Sequence, residues 1–116
     1  MRQLRASGQK TGDDYDLAAA IGRTDGDGGV RGGRVLLNFA DAIMGDDSDQ
    51  LAAARRSCSA AFGDAGMIDA AAIAAQFDAL DRVADATGMY LDDVVLDDTA
   101  EIRAALGIDA FRTAGT

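Results

Sequence analysis

Apolar positions recur at helical spacing over most of the chain beyond residue 34, and the longest such stretch is 67–92, MIDAAAIAAQFDALDRVADATGMYLD. At about 100° per residue, Ile73, Phe77, Leu80 and Ala84 fall in one narrow stripe, widened by Ala70 on one side and Val83 on the other. Alanines at 70, 71, 72, 74, 75, 79, 84 and 86 raise helix propensity and let a neighbouring helix approach closely. Gly88 supplies a C-terminal stop. The stripe is the expected core face. Burying Ile73, Phe77, Leu80 and Val83 contributes roughly 6–12 kcal/mol at ~1.5–3 each, before conformational entropy is subtracted. The opposite face carries Asp78, Asp81, Arg82 and Asp85. Asp78 precedes Arg82 by one helical turn, the favourable order for an ion pair, whereas Asp81 and Asp85 repel each other slightly.

Shorter helices are expected around this one. Residues 35–44, VLLNFADAIM, read as about three turns ending at Gly45. Asp46, Asp47, Ser48 and Asp49 then offer N-caps for the next helix, where carboxylates also suit the positive end of the dipole. In that helix Leu51, Ala54, Cys58, Ala61 and Phe62 share one face, Arg56 and Ser59 the other, and Gly63 ends it. After Gly88, Met89, Tyr90 and Leu91 are expected to fold back on the bundle. Asp97 and Asp98 are expected to cap a last helix, with Asp98 and Glu101 at capping-box spacing. Its apolar side is Ile102, Ala105 and Leu106, Gly107 ends it, and Ile108 to Phe111 add a further apolar contact. The fold class is therefore all-α, a small helical bundle over residues 34–116.

Residues 1–33 differ. They hold eight of the 14 glycines and only one short apolar patch, residues 17–21, enough for a turn or two of helix. A flexible leader is the expectation. The abrupt change of composition at Gly33 also leaves a shifted reading frame open as its origin. Three ligand-loop patterns are approached here and none is completed. Gly26 to Arg31 puts Arg31 where a dinucleotide fingerprint needs glycine, Gly28 to Val35 lacks the Lys and Ser/Thr of a phosphate loop, and Asp25 and Asp27 are followed by Gly29 and Leu36 where a calcium loop needs ligands.

Composition narrows the function. The net charge is −9, which opposes binding to nucleic acid and to anionic membrane surfaces. The N-terminal residues show no apolar signal-peptide core, and no unbroken apolar run approaches the roughly 20 residues of a membrane span, so cytoplasmic residence is expected. There is no histidine, which removes the commonest general base and metal ligand. No cofactor or metal is expected. Cys58, the single cysteine, lies on an apolar stripe with Arg55 one turn away; it reads as a small core residue, with a reactive thiol as the alternative. The three carboxylates around Arg82 read as a solvated face, with a polar site as the alternative.

The segment 77–93, FDALDRVADATGMYLDD, resembles part of the carboxymuconolactone decarboxylase and alkylhydroperoxidase D-like superfamily, whose pattern runs approximately Phe-Asn, two residues, Asp-Arg-Val-Ala-Asp-Ala-Thr-Gly-Ile-Pro-Leu-Asp. Phe77, Asp81 to Gly88, Leu91 and Asp92 match; Asp78, Met89 and Tyr90 depart from it. Extended through 35–44 and the C-terminal LGIDAFRTAG, the resemblance covers roughly residues 34–114. It implies an alkylhydroperoxidase D-like helical bundle that assembles into homo-oligomers, and a peroxidase or decarboxylase-type activity in catalytic members. The peroxidatic members use a Cys-x-x-Cys pair with a nearby Glu and His, and this chain has neither the pair nor a histidine. The resemblance therefore transfers a scaffold and the polar motif Asp81, Arg82 and Asp85, in a structural or interface role, but no catalytic residue. Three functions are expected in turn: a truncated or degenerate relative without peroxidase activity, a helical oligomerisation or partner-binding module that forms a homo-oligomer or pairs with a chain supplying missing helices, and a redox enzyme working through Cys58.

Overall fold

The structure, a computed structural model, describes residue 12 and residues 14–111. The remainder of the expected leader and residues 112–116 lie outside them. The described residues form five α-helices and no strand: α1 (Leu17–Ala20), α2 (Gly33–Met44), α3 (Ser48–Thr87), α4 (Asp93–Asp98) and α5 (Ala100–Leu106), followed by a 3-10 turn, Ile108–Phe111. The all-α class is as expected.

The main packing unit is the hairpin of α2 and α3, the most extensively packed pair of elements. Its short connection forces the two helices to run antiparallel. Gly45 closes α2, and the Asp47 carboxylate caps α3 by accepting from the backbone N–H groups of Asp49 and Gln50 at 2.9 and 3.0 Å. Two otherwise unpaired amides are satisfied in this way. From α2, Phe39 and Ala42 are buried; from the facing part of α3, Cys58 has no exposed surface at all, and Leu51 and Ala54 are half-buried.

Helix α3 is two helices in series. Gly63, at φ 75° and ψ 169°, leaves the helical region for one accessible essentially only to glycine, and helix resumes at Asp64. The Ser59 hydroxyl donates to the Asp64 carboxylate across this break. Gly63 thus ends the first helix as expected, but the long helix starts at Asp64 rather than near Met67. Gly88, at φ 67°, closes it, and the Met89 amide reaches back to the carbonyl of Ala84 at 2.9 Å.

Residues 14–33 form a loop around α1. The amide of Asp16 donates to the Gly28 carbonyl at 3.0 Å, and Ala19 is buried. Arg34, at the start of α2, donates from Nε to the Gly26 carbonyl (3.0 Å) and from Nη2 to that of Thr24 (2.9 Å). The C-terminal helices are tied together by Arg103. Its Nη1 donates to the Leu96 carbonyl (2.8 Å) and to the Thr99 hydroxyl (2.6 Å), and its Nε to Asp109 (3.1 Å).

Three expectations are corrected. The stripe of the long helix is not core: Ile73, Phe77, Leu80 and Val83 are each 55–62% exposed. The half-buried residues of this segment are Gly66, Met67, Ala70, Ala71, Ala74, Asp78 and Ala84. Gly66, Ala70 and Ala84 lie along the stripe, and the other four on a face rotated by about 120° from it at 100° per residue. Most of these half-buried side chains are small, and the large ones stand outside. Secondly, Met89, Tyr90 and Leu91 do not fold back; they are 70%, 85% and 49% exposed. Thirdly, Asp97 and Asp98 do not cap the last helix. They end α4, which is a helix of its own, and α5 starts from Thr99 with no side-chain cap hydrogen bond. The Thr99 hydroxyl instead donates backwards to the Val95 carbonyl, at 2.6 Å. On the first part of α3, Ala61 is also exposed, whereas Phe62 is 37% exposed with its ring lying over Gly32.

Candidate functional site

The polar motif lies on the second half of α3. Arg82 Nε donates to Asp78 Oδ2 at 2.8 Å, the one-turn pair expected from the spacing. The guanidinium is held above its ordinary pKa by this hydrogen bond and by the nearby carboxylate charge. Asp81 and Asp85 are exposed. Arg82 stands in solvent, so the pair orients two side chains on the surface and encloses no substrate. The structure brings Asp78 and Arg82 together and leaves Asp81 and Asp85 outside that pair.

Cys58 is buried in the α2–α3 hairpin. A thiol with no exposed surface offers a peroxide no approach to Sγ, and the chain has no histidine to act as its base. Cys58 is expected to react with a soluble disulfide reagent at least about a hundredfold more slowly in the folded protein than in concentrated guanidinium, because reaction then requires local opening. Stopped-flow measurement of thiol release checks this, and an equally fast native reaction would show the thiol to be accessible.

In the glycine-rich loop two of the carboxylates, those of Asp16 and Asp27, are engaged in local turns. Asp16 accepts from the Ala18 amide (3.0 Å) and the Thr24 hydroxyl (2.7 Å), and Asp27 from the Gly29 amide (3.0 Å). These are the turn-forming bonds short acidic side chains make with their own backbone. An open cleft of about 390 Å³ lies where this loop meets α5, lined by Asp14, Tyr15, Asp16, Leu17, Ala18, Ile102, Ala105 and Leu106. Among the described residues, no group of three or more histidine, cysteine, aspartate or glutamate side chains is arranged to hold a metal ion.

The largest unexplained feature is apolar. Ile73, Phe77, Leu80 and Val83 form an exposed stripe, and Met89, Tyr90, Leu91 and Val94 follow it past Gly88. A half-exposed large side chain presents on the order of 100 Å², so the four on the helix amount to roughly 400 Å² and all eight to roughly 800 Å². The roughly 400 Å² on the helix is the size of the largest apolar patch on a typical monomer, and such patches are often functional. By length and composition α3 is also apolar enough to cross a membrane. Its 18-residue apolar stretch, however, includes the buried Cys58, so it straddles the break at Gly63 and ends before Phe77. The helix carries Asp64 and Asp69 before the stripe and Asp78, Asp81, Arg82 and Asp85 beside it, charges costly to place in hydrocarbon.

The stripe was visible in the sequence as the strongest helical pattern, but as core. The arginine clamps at Arg34 and Arg103 were not visible, since a long side chain reaching a distant carbonyl leaves no spacing pattern. No family model matches the chain, and no curated protein or solved structure proved similar to it.

Proposed function

We propose that this protein is a non-catalytic helical assembly module, in which another polypeptide covers the exposed stripe of α3. The observation that carries the reading is the exposure of Ile73, Phe77, Leu80 and Val83 on a helix whose residues 64–87 include none that is buried. Such a helix gains little from tertiary packing, the main source of helix stability in proteins. A covering chain supplies what is missing. The resemblance of 77–93 to the carboxymuconolactone decarboxylase and alkylhydroperoxidase D-like superfamily supports the same reading, because those residues belong to a scaffold that assembles, and the redox pair and histidine are absent from this chain. The burial of Cys58 also favours a structural over a redox role.

Amide hydrogen exchange tests this at a concentration where sedimentation shows a monomer. Residues 64–87 are then expected to exchange orders of magnitude faster than α2, whose Phe39 and Ala42 are buried. Equal protection of the two helices in the monomer would sink the reading, since the stripe would need no cover.

A further inference from the structure

We infer that the cover is a second copy of this chain, paired antiparallel across the second half of α3 about a two-fold axis near Phe77. This rests on the assembly reading above and names its partner. The positions Gly66, Ala70, Ile73, Phe77, Leu80 and Ala84 alternate spacings of four and three residues, which is the heptad seam of a left-handed helix pair. The seam is about 27 Å long at ~1.5 Å per residue. Its three large side chains sit at the centre, and Gly66, Ala70 and Ala84 flank them. That size distribution is symmetric about Phe77. A two-fold axis there places the small residues of one copy beside those of the other and lets the large ones interdigitate around Phe77.

Area and charge select among the occupants. The four exposed side chains on the helix present roughly 400 Å² per chain, or roughly 800 Å² over both copies, the size of a weak, reversible interface. The same surface on a second copy satisfies both copies at once, as an isologous contact does. Charge sets the direction. Residues 78–85 carry Asp78, Asp81, Arg82 and Asp85, while residues 65–77 carry only Asp69. Parallel pairing in register stacks the acidic segments at the same height. Antiparallel pairing sets each acidic segment beside the nearly uncharged one and also opposes the helix dipoles favourably.

The test uses the full chain in sedimentation equilibrium with two cross-linking variants. The wild type is expected at twice the chain mass of 11.9 kDa. Leu80→Asp should raise the dissociation constant by at least about a hundredfold, as for a charge placed in a desolvated interface. Leu80→Ala, which keeps helix propensity, should raise it about tenfold or more. Ala75→Asp, on the side of the helix away from the seam, should change it less than about threefold. In a Cys58→Ser background, Ala70→Cys mixed with Ala84→Cys should give the mixed disulfide on mild oxidation. Self-cross-linking of Ala84→Cys in preference to the mixed product overturns the antiparallel pairing. A wild-type monomer at high concentration, with residues 64–87 exchanging freely, overturns the second copy while leaving the assembly reading standing. A monomer with that helix protected overturns both. Flotation of the chain with neutral phosphatidylcholine vesicles, abolished by Leu80→Asp, would assign the stripe to a lipid surface and overturn the inference.

Discussion

Phe39→Ala is expected to lower the free energy of unfolding by about 3–5 kcal/mol, the usual cost of deleting a buried aromatic ring. Phe39 is 3% exposed and belongs to a small set of buried side chains, with Ala19, Ala42, Cys58 and Leu106. Few of these are large, so the loss of one ring removes a sizeable share of the apolar burial that holds α2 to α3. A domain of this size typically has about 5–15 kcal/mol in total, and Phe39→Ala should leave the hairpin only marginally folded. The matched comparison is Phe77→Ala. Although Phe77 sits in the most regular apolar stripe of the sequence, it is 62% exposed, and its removal should cost the monomer less than about 1 kcal/mol. Urea titrations of dilute protein, followed by circular dichroism, give both numbers. A larger loss from Phe77→Ala than from Phe39→Ala in the monomer would mean that the stripe is core after all. At concentrations where the protein associates, the gap between the two variants should narrow, because Phe77 then contributes through the interface.

That contrast also shows what could be read before the structure and what could not. Local chemistry was legible. Gly45, Gly88 and Gly107 terminate helices and Gly63 breaks one, Asp47 caps α3, and Asp78 pairs with Arg82, each determined within one helical turn. The choice of packing face was not. Periodicity gives the direction of the apolar side of a helix but carries no information on whether this chain has an element to place there. For residues 64–87 the large apolar side chains of the stripe have no element of this chain that buries them. The cap of α5 was misread for a related reason. Asp98 and Glu101 have the right spacing, but α4 runs through Asp98, so the boundary shifts to Thr99, whose hydroxyl is already engaged with Val95. Of the candidate site, the residues were identifiable and their grouping was not: Asp81, Arg82 and Asp85 share a helix, yet only Asp78 meets Arg82.

Gly33→Ala carries the second large expected effect, and it tests how the glycine-rich loop is joined to the bundle. Gly33 is the first residue of α2 and is buried, with a negative φ that alanine adopts freely. By helix propensity alone the substitution would stabilise the helix by up to about 1 kcal/mol. Packing reverses the sign. A methyl group at this position would run into the backbone carbonyl of Asp27, and that carbonyl has little freedom to retreat. Arg34 holds the neighbouring carbonyls of Gly26 and Thr24, and the Asp27 side chain is bonded to the Gly29 amide. The loop must therefore move as a body, at an expected net cost of about 2–3 kcal/mol, in the upper range for overpacking. Gly63→Ala separates this steric effect from a conformational one, because an added methyl there meets nothing within 4 Å and the cost comes only from φ 75°. Displacing the loop frees the chain at Arg23 and Arg31, both already exposed, to adopt the extended form a protease needs. Gly33→Ala should therefore be cleaved by trypsin at both sites much faster than the wild type, while Gly63→Ala should not. If Gly33→Ala instead melts at or above the wild-type temperature and resists trypsin equally, the loop does not rest on the start of α2. The 14–33 segment would then behave as the freely moving leader that its glycine content suggests.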